Sequence, residues 1–221
     1  KKGFSRINVK LKGAQETEIN AKGPEIDSEE VGGFFQIEQM KEDDYLVLAG
    51  SIPGSLPNDI YENDLEKSWE GIHAVVDATG NLLRKTLCYH PFLIKPNRQE
   101  LADLFGVTIE SDAETVEYAQ RLQDEGAENV LISMGGDGAI LVDRDKNAYS
   151  FRLLEDLEKL CWCRGFYGGW VPGGYEKEKN PETAFRLGSA AGSATAFHED
   201  LATKEQIEEL YGSGVQEIER L

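Results

Sequence analysis

Three stretches of this chain combine residue types that could do chemistry. Lys95-Pro96-Asn97-Arg98-Gln99-Glu100 places a cation, an amide and a carboxylate close together. Asn97 and Glu100 are three apart, so at a helix start they can face the same cleft, an arrangement suited to a hydrated magnesium and its phosphates. The same spacing is a capping-box variant, with Asn97 at the N-cap and Glu100 at N3, and spacing alone favours the cap. Ser133-Met134-Gly135-Gly136-Asp137-Gly138-Ala139 predicts a tight turn whose backbone N–H groups could hold a nucleotide phosphate. A plain β-turn explains that stretch about as well. It lacks both the G-x-G-x-x-G spacing and a helix directly after it, which speaks against a nicotinamide-binding dehydrogenase. Gly50-Ser51-Ile52-Pro53-Gly54-Ser55-Leu56-Pro57 is a loop whose meaning depends on its neighbours. Cys161-x-Cys163 could be half of a metal site, but no second Cys pair accompanies it and His73, His90 and His198 are scattered, so it reads as unpaired thiols.

Charge narrows the partners. The 221 residues carry a formal charge of −18, which argues against nucleic acid, since phosphate backbones are bound through clustered Lys and Arg. A small phosphate remains possible where a local basic pocket or aligned amides overcome the global field, and this singles out Arg6, Lys10, Lys12, Lys95 and Arg98. No apolar run approaches membrane-spanning length, and a membrane partner is not expected. Three cysteines without a signal peptide fit a reducing cytoplasm better than a disulfide framework.

These residues must be positioned by elements with legible signals. Phe4 to Leu11 alternates as a half-exposed strand, and Thr17 to Ile19 could return beside it. Asp27 and Glu30 offer a capping box for a helix through Met40, ahead of a strand at Tyr45 to Ala49. The spacing then predicts a helix from about Asp59 to Gly71, a strand at Ala74 to Asp77, and another at Phe92 to Lys95. A helix follows from Arg98 to Phe105, then one capped by Ser111 and Glu114 and closed by Gly126, then a strand at Val130 to Ser133. Asn180-Pro181 opens a small-residue helix, and Thr203 with Gln206 caps a last one. Alternation at this spacing predicts an α/β fold, a doubly wound and mostly parallel sheet flanked by helices, with ligands at the carboxyl ends of strands. The loops after Ala49, Asp77, Lys95 and Ser133 are therefore the places to search.

Taken in order, R-I-N-V-K-L, L-A-G-S-I-P-x-S-L-P, V-V-D-A-T-G-x-x-L, K-P-N-x-x-E-L, S-M-G-x-D-G-A and A-F-R-L-G-x-A-A-G-S-A-T-A resemble the hexose-phosphate branch of the ribokinase-like (PfkB) carbohydrate kinases. The resemblance covers nearly all of the chain apart from residues 154 to 174. It implies ATP and Mg2+ as cofactors, a sugar phosphate as substrate, and a small β lid element near the N-terminus (residues 1–26) on a kinase domain (residues 27–221). The implied reaction is that of a 1-phosphofructokinase, fructose 1-phosphate to fructose 1,6-bisphosphate, with tagatose-6-phosphate kinase as the alternative. By the same resemblance Arg6, Asn8 and Ser51 would meet the sugar phosphate. Lys95, Asn97, Ser133, Gly135, Gly136, Asp137, Gly138, Ala191 and Ser193 would meet ATP, and Glu100 the metal. The lid could also join two copies as a homodimer.

Two departures stand out. The family's first strand and a G-G-K-G-x-N type segment have no counterpart, so the chain reads as the latter two-thirds or so of a kinase, with an uncovered sheet edge. The family's G-A-G-D motif, whose Asp is the general base, is also missing, and no carboxylate occurs between Glu158 and Glu176. The base is expected near Gly165 and Phe166. Cys161 to Gly174 can be back-translated so that a reading one base later gives V-G-A-G-D-S-M-V-A-G-F-L-A-G, which suggests a local frameshift closed again by Tyr175. Loss of the base predicts little or no turnover, leaving a non-catalytic nucleotide-binding remnant as a rival reading.

Overall fold

A computed structural model of the chain describes residues 4–11, 17–21, 23–26, 37–50, 52–67, 71–152, 175, 179–196, 201–213 and 218–221. The expected helix from Asp27 lies largely outside these residues, apart from a 3-10 turn at Ile37–Gln39.

β1 (Asn8–Leu11) and β2 (Thr17–Asn20) pair antiparallel as a separate two-stranded sheet, with Val9 opposite Ile19. The main sheet has seven strands in chain order: β3 (Tyr45–Ala49), β4 (His73–Asp77), β5 (Leu93–Ile94), β6 (Asn129–Ser133), β7 (Ala139–Val142), β8 (Ala148–Phe151) and β9 (Ile218–Arg220). β3 to β6 pair in parallel, and β6 to β9 pair antiparallel. The sheet is thus mixed, its parallel character confined to the half where helices connect the strands, because hairpin turns after β6 and β7 reverse the chain directly. The order also runs straight through with no reversal among the described strands. A shared carboxyl edge, not a reversal point, therefore gathers the loops.

α1 (Ile60–Lys67), α2 (Gly80–Thr86), α3 (Arg98–Phe105) and α4 (Asp112–Asp124) pack on one face, where Leu46, Leu48, Val76, Ile94, Val130 and Ile132 meet Leu65, Leu83, Leu101 and Leu122. Strands connected in order by right-handed crossovers bring their helices to the same side. Val75, Leu93, Leu131 and Leu141 point to the opposite face and meet Ala184 and Phe185 of α5 (Pro181–Ala196), together with Phe92 and Tyr175. The period-2 alternation along each strand produces this division. α5 also packs on α6 (Lys204–Gly212). Val47 of β3 remains 47% exposed. No described helix is long and apolar enough to cross a membrane.

Candidate functional site

The carboxyl edge of β3 and β4 opens a cleft of about 700 Å³, lined by Gly50, Ile52, Asn58, Asp77, Ala78, Thr79, Asn81, Leu82 and Lys85. Its walls are the loop leaving β3 and the turn by which β4 enters α2. Lys85 Nζ is held 2.7 Å from Glu62 Oε1 of α1. Asp77, the last residue of β4, pairs across the strand ends with Lys95, whose Nζ lies 3.4 Å from Asp77 Oδ2. Lys95 follows β5 and is only 4% exposed. Burying an ammonium requires such a carboxylate, and the pair leaves a polar, charged floor beside the cleft.

The next strand ends continue this line. Asn97 forms a parallel bridge with Ser133, and the Ser133 N–H donates to the Pro96 carbonyl at 3.2 Å. Asn97 caps α3: its Oδ1 accepts from the Glu100 N–H at 2.8 Å, and Glu100 Oε2 accepts from the Asn97 N–H at 2.8 Å. The capping box is therefore real, and it orients both side chains at the strand end with Glu100 engaged through one carboxylate oxygen. Met134 leads into the 3-10 turn Gly135–Asp137, closed by the Met134 N–H to Gly138 carbonyl bond at 2.9 Å. Gly138 has φ +96°, and a Cβ there would lie 1.9 Å from the Phe151 carbonyl oxygen. Both the conformation and the close approach to β8 require glycine. Arg98, in the first turn of α3, reaches Asp112 at 2.7 Å, and Asp112 also accepts from Arg152.

Lys95, Asn97, Glu100, Ser133 and the Gly135–Gly138 turn are thus gathered along one edge. Ala191 and Ser193 are buried in α5, on the helix that covers the opposite sheet face, and the Ser193 hydroxyl has no hydrogen-bond partner among the described residues. Arg6 is exposed just before β1, and Asn8 pairs in register with Asn20. The stem below them is tied to the main body where the Ile26 N–H donates to Ser55 Oγ at 3.1 Å. Ser51, Gly165 and Phe166 lie outside the described residues. The sequence reading marked the loop after Asp77 but missed Asp77, Thr79, Asn81, Asn58 and Lys85 as individual residues. Asp77 at the carboxyl end of an expected strand was the available signal; Asn58 and Lys85 carried none, since they reach the cleft only through the packing of the loop before α1 and of α2.

Residues 6–151 match the model of the pfkB family carbohydrate kinases. A 1-phosphofructokinase of Bacillus subtilis (strain 168) is 44% identical over 214 residues, covering 95% of this chain and 70% of that protein. A D-tagatose-1-phosphate kinase of Bacillus licheniformis is 32% identical over 210 residues, covering 94% of this chain and 69% of that one. Among solved structures, a Staphylococcus aureus protein assigned as a phosphofructokinase superposes with a TM-score of 0.81 at 38% identity, covering 97% of this chain and 70% of its own. With the family model matching well over half of its length, and with strand-end residues gathered as above, this chain belongs to the pfkB family of carbohydrate kinases.

Proposed function

We propose that the chain is a sugar-phosphate kinase of the 1-phosphofructokinase type, using ATP and a magnesium ion and taking fructose 1-phosphate as substrate. The observation that carries this is the continuous carboxyl edge, from the cleft through the Asp77–Lys95 pair to the Asn97–Ser133 bridge and the glycine turn. Phosphoryl transfer needs mainly in-line positioning and charge neutralisation, which such an edge supplies. The sugar hydroxyl oxygen bonds to the γ-phosphorus as the bond to ADP breaks, and the hydroxyl proton must leave. Lys95 would face phosphate oxygens, and the Gly135–Gly138 amides would hold the nucleotide's phosphates. Glu100, with one oxygen outside the cap, suits a hydrated magnesium, which favours one or two carboxylates plus phosphates.

The chain has no carboxylate between Glu158 and Glu176 to take the proton. Losing general-base help costs roughly 10² to 10⁴ in rate. We therefore expect magnesium-dependent ATP binding with little turnover. Calorimetric titration with ATP, with and without magnesium, and a coupled ADP-release assay with fructose 1-phosphate test this. Robust turnover would refute the impairment, and absence of ATP binding would refute the kinase reading. The alternative expected from the sequence was tagatose 6-phosphate; the D-tagatose-1-phosphate kinase among the relatives makes tagatose 1-phosphate a further candidate substrate. The same titration with each sugar phosphate separates them. We further propose that the β1–β2 hairpin joins two copies, and that the enzyme works in the cytoplasm.

A further inference from the structure

The loop between β3 and α1 walls the cleft, and its first residue is held from behind. Gly50 lines the cleft and leaves β3 with φ +95°. Its carbonyl oxygen accepts a hydrogen bond from Tyr61 Oη at 2.9 Å. Tyr61 is on α1, 8% exposed, in the core cluster that contains Leu65 and Leu48. Burial pushes the phenol pKa up, and the charges of Asp77 and Asp64 push it further, so the hydroxyl stays protonated and remains a donor. Asp77 lines the same cleft, so the phenol lies near the charged floor as well as the loop. Farther along, the Leu56 N–H donates to the Pro53 carbonyl at 2.9 Å, and Ser55 accepts from Ile26 below the hairpin.

We propose that Tyr61 is a positioning residue for the sugar phosphate: through the Gly50 carbonyl it fixes the wall of the cleft against which that substrate is held. The proposal rests on the kinase reading above, with the cleft at the carboxyl edge of β3 and β4 taken as its sugar-phosphate site. A glycine is conformationally permissive, so the hydrogen bond to its carbonyl helps to hold Gly50 in its positive-φ conformation. Without the Tyr61 donor the loop samples other orientations, and a small misplacement of a binding wall is costly.

Tyr61→Phe keeps the ring's packing and removes only the donor. Gly50→Ala keeps the donor and opposes the backbone conformation. Calorimetric titration of the full chain with fructose 1-phosphate, and separately with magnesium and a non-hydrolysable ATP analogue, reads the two sites independently. The expected result is about tenfold weaker sugar-phosphate binding for Tyr61→Phe, as loss of one hydrogen bond implies, and weakening in the same direction for Gly50→Ala through its strained backbone, with analogue affinity unchanged and the far-ultraviolet dichroism of the parent retained in both. A purely structural role would leave both affinities unchanged or weaken them together. Tyr61→Phe binding the sugar phosphate as tightly as the parent, or losing both ligands equally, overturns the proposal while leaving the kinase reading intact. A parent chain that binds the ATP analogue but not the sugar phosphate overturns the proposal too; one that binds neither overturns the kinase reading with it.

Discussion

Asp64 shows how a single residue can set a pH dependence. It sits on α1 at 4% exposure, and its Oδ2 has no hydrogen-bond partner among the described residues. Burial raises its pKa above the usual carboxylate value, with Lys67 opposing. The folded chain therefore holds this proton more tightly than the unfolded chain does. Stability from this group is greatest below the unfolded value and declines as pH rises through the window up to the raised folded value. At neutral pH the raised pKa is a net cost to folding, so Asp64→Asn should be the more stable protein at pH 7. The advantage should shrink as pH falls into the ordinary carboxylate range. Urea midpoints of both proteins at pH 7 and pH 4 check this, and a variant less stable at pH 7 would contradict it.

At the scale of elements, the start of α3 has a structural duty and, under the proposed kinase reading, a binding duty as well. Asn97 caps the helix and also stands at the strand end beside Ser133. Asn97→Ala should cost about 1 kcal/mol of stability, the usual worth of an N-cap, and weaken ATP binding. Asn97→Ser preserves the cap, so it should unfold like the parent while binding ATP about tenfold more weakly, the cost of one hydrogen bond. Denaturant unfolding and nucleotide titration of both variants separate the two duties. Other elements divide by how local their signals are. α3, α4 and α6 open on capping boxes at Asn97, Ser111 and Thr203, and all three were legible because the cap is written in neighbouring residues. α2 was not: it starts at Gly80 after Thr79, which makes no side-chain cap bond. β9 is three residues long and exists because β8 offers it an edge, which no local pattern announces.

Across the whole molecule, the β1–β2 ribbon and the segment leading into it form a conspicuous exposed apolar surface among the described residues. Phe4, Ile7, Val9, Leu11 and Ile19 are 89%, 62%, 41%, 51% and 55% exposed. Ile7, Val9 and Leu11 alternate onto one face of the ribbon, and Ile19 is the partner of Val9 in register. An isolated two-stranded ribbon is marginal in water, and an apolar face of this kind calls for a cover. Under the proposal of a second copy, sedimentation should show a concentration-dependent dimer, and Val9→Lys should shift it to monomer without changing the dichroism of the main body. A monomer at all concentrations would exclude it.

The sequence alone determined the α/β class, most of the described strands and helices, and the cap and glycine turn of the K-P-N-x-x-E and S-M-G-x-D-G stretches. Each of these depends on periodicity, caps or glycine turns that act over a few neighbouring residues. Tertiary structure decided the rest. The pairing of Asp77 with Lys95, the bridge of Asn97 to Ser133, the cleft that Asn58 and Lys85 help to line, and the Tyr61 bond to Gly50 join residues distant in the chain. The antiparallel pairing after β6 belongs with the local devices instead, because the short glycine turn at Gly135–Asp137 reverses the chain directly, whereas the long-range contacts form only when the core closes.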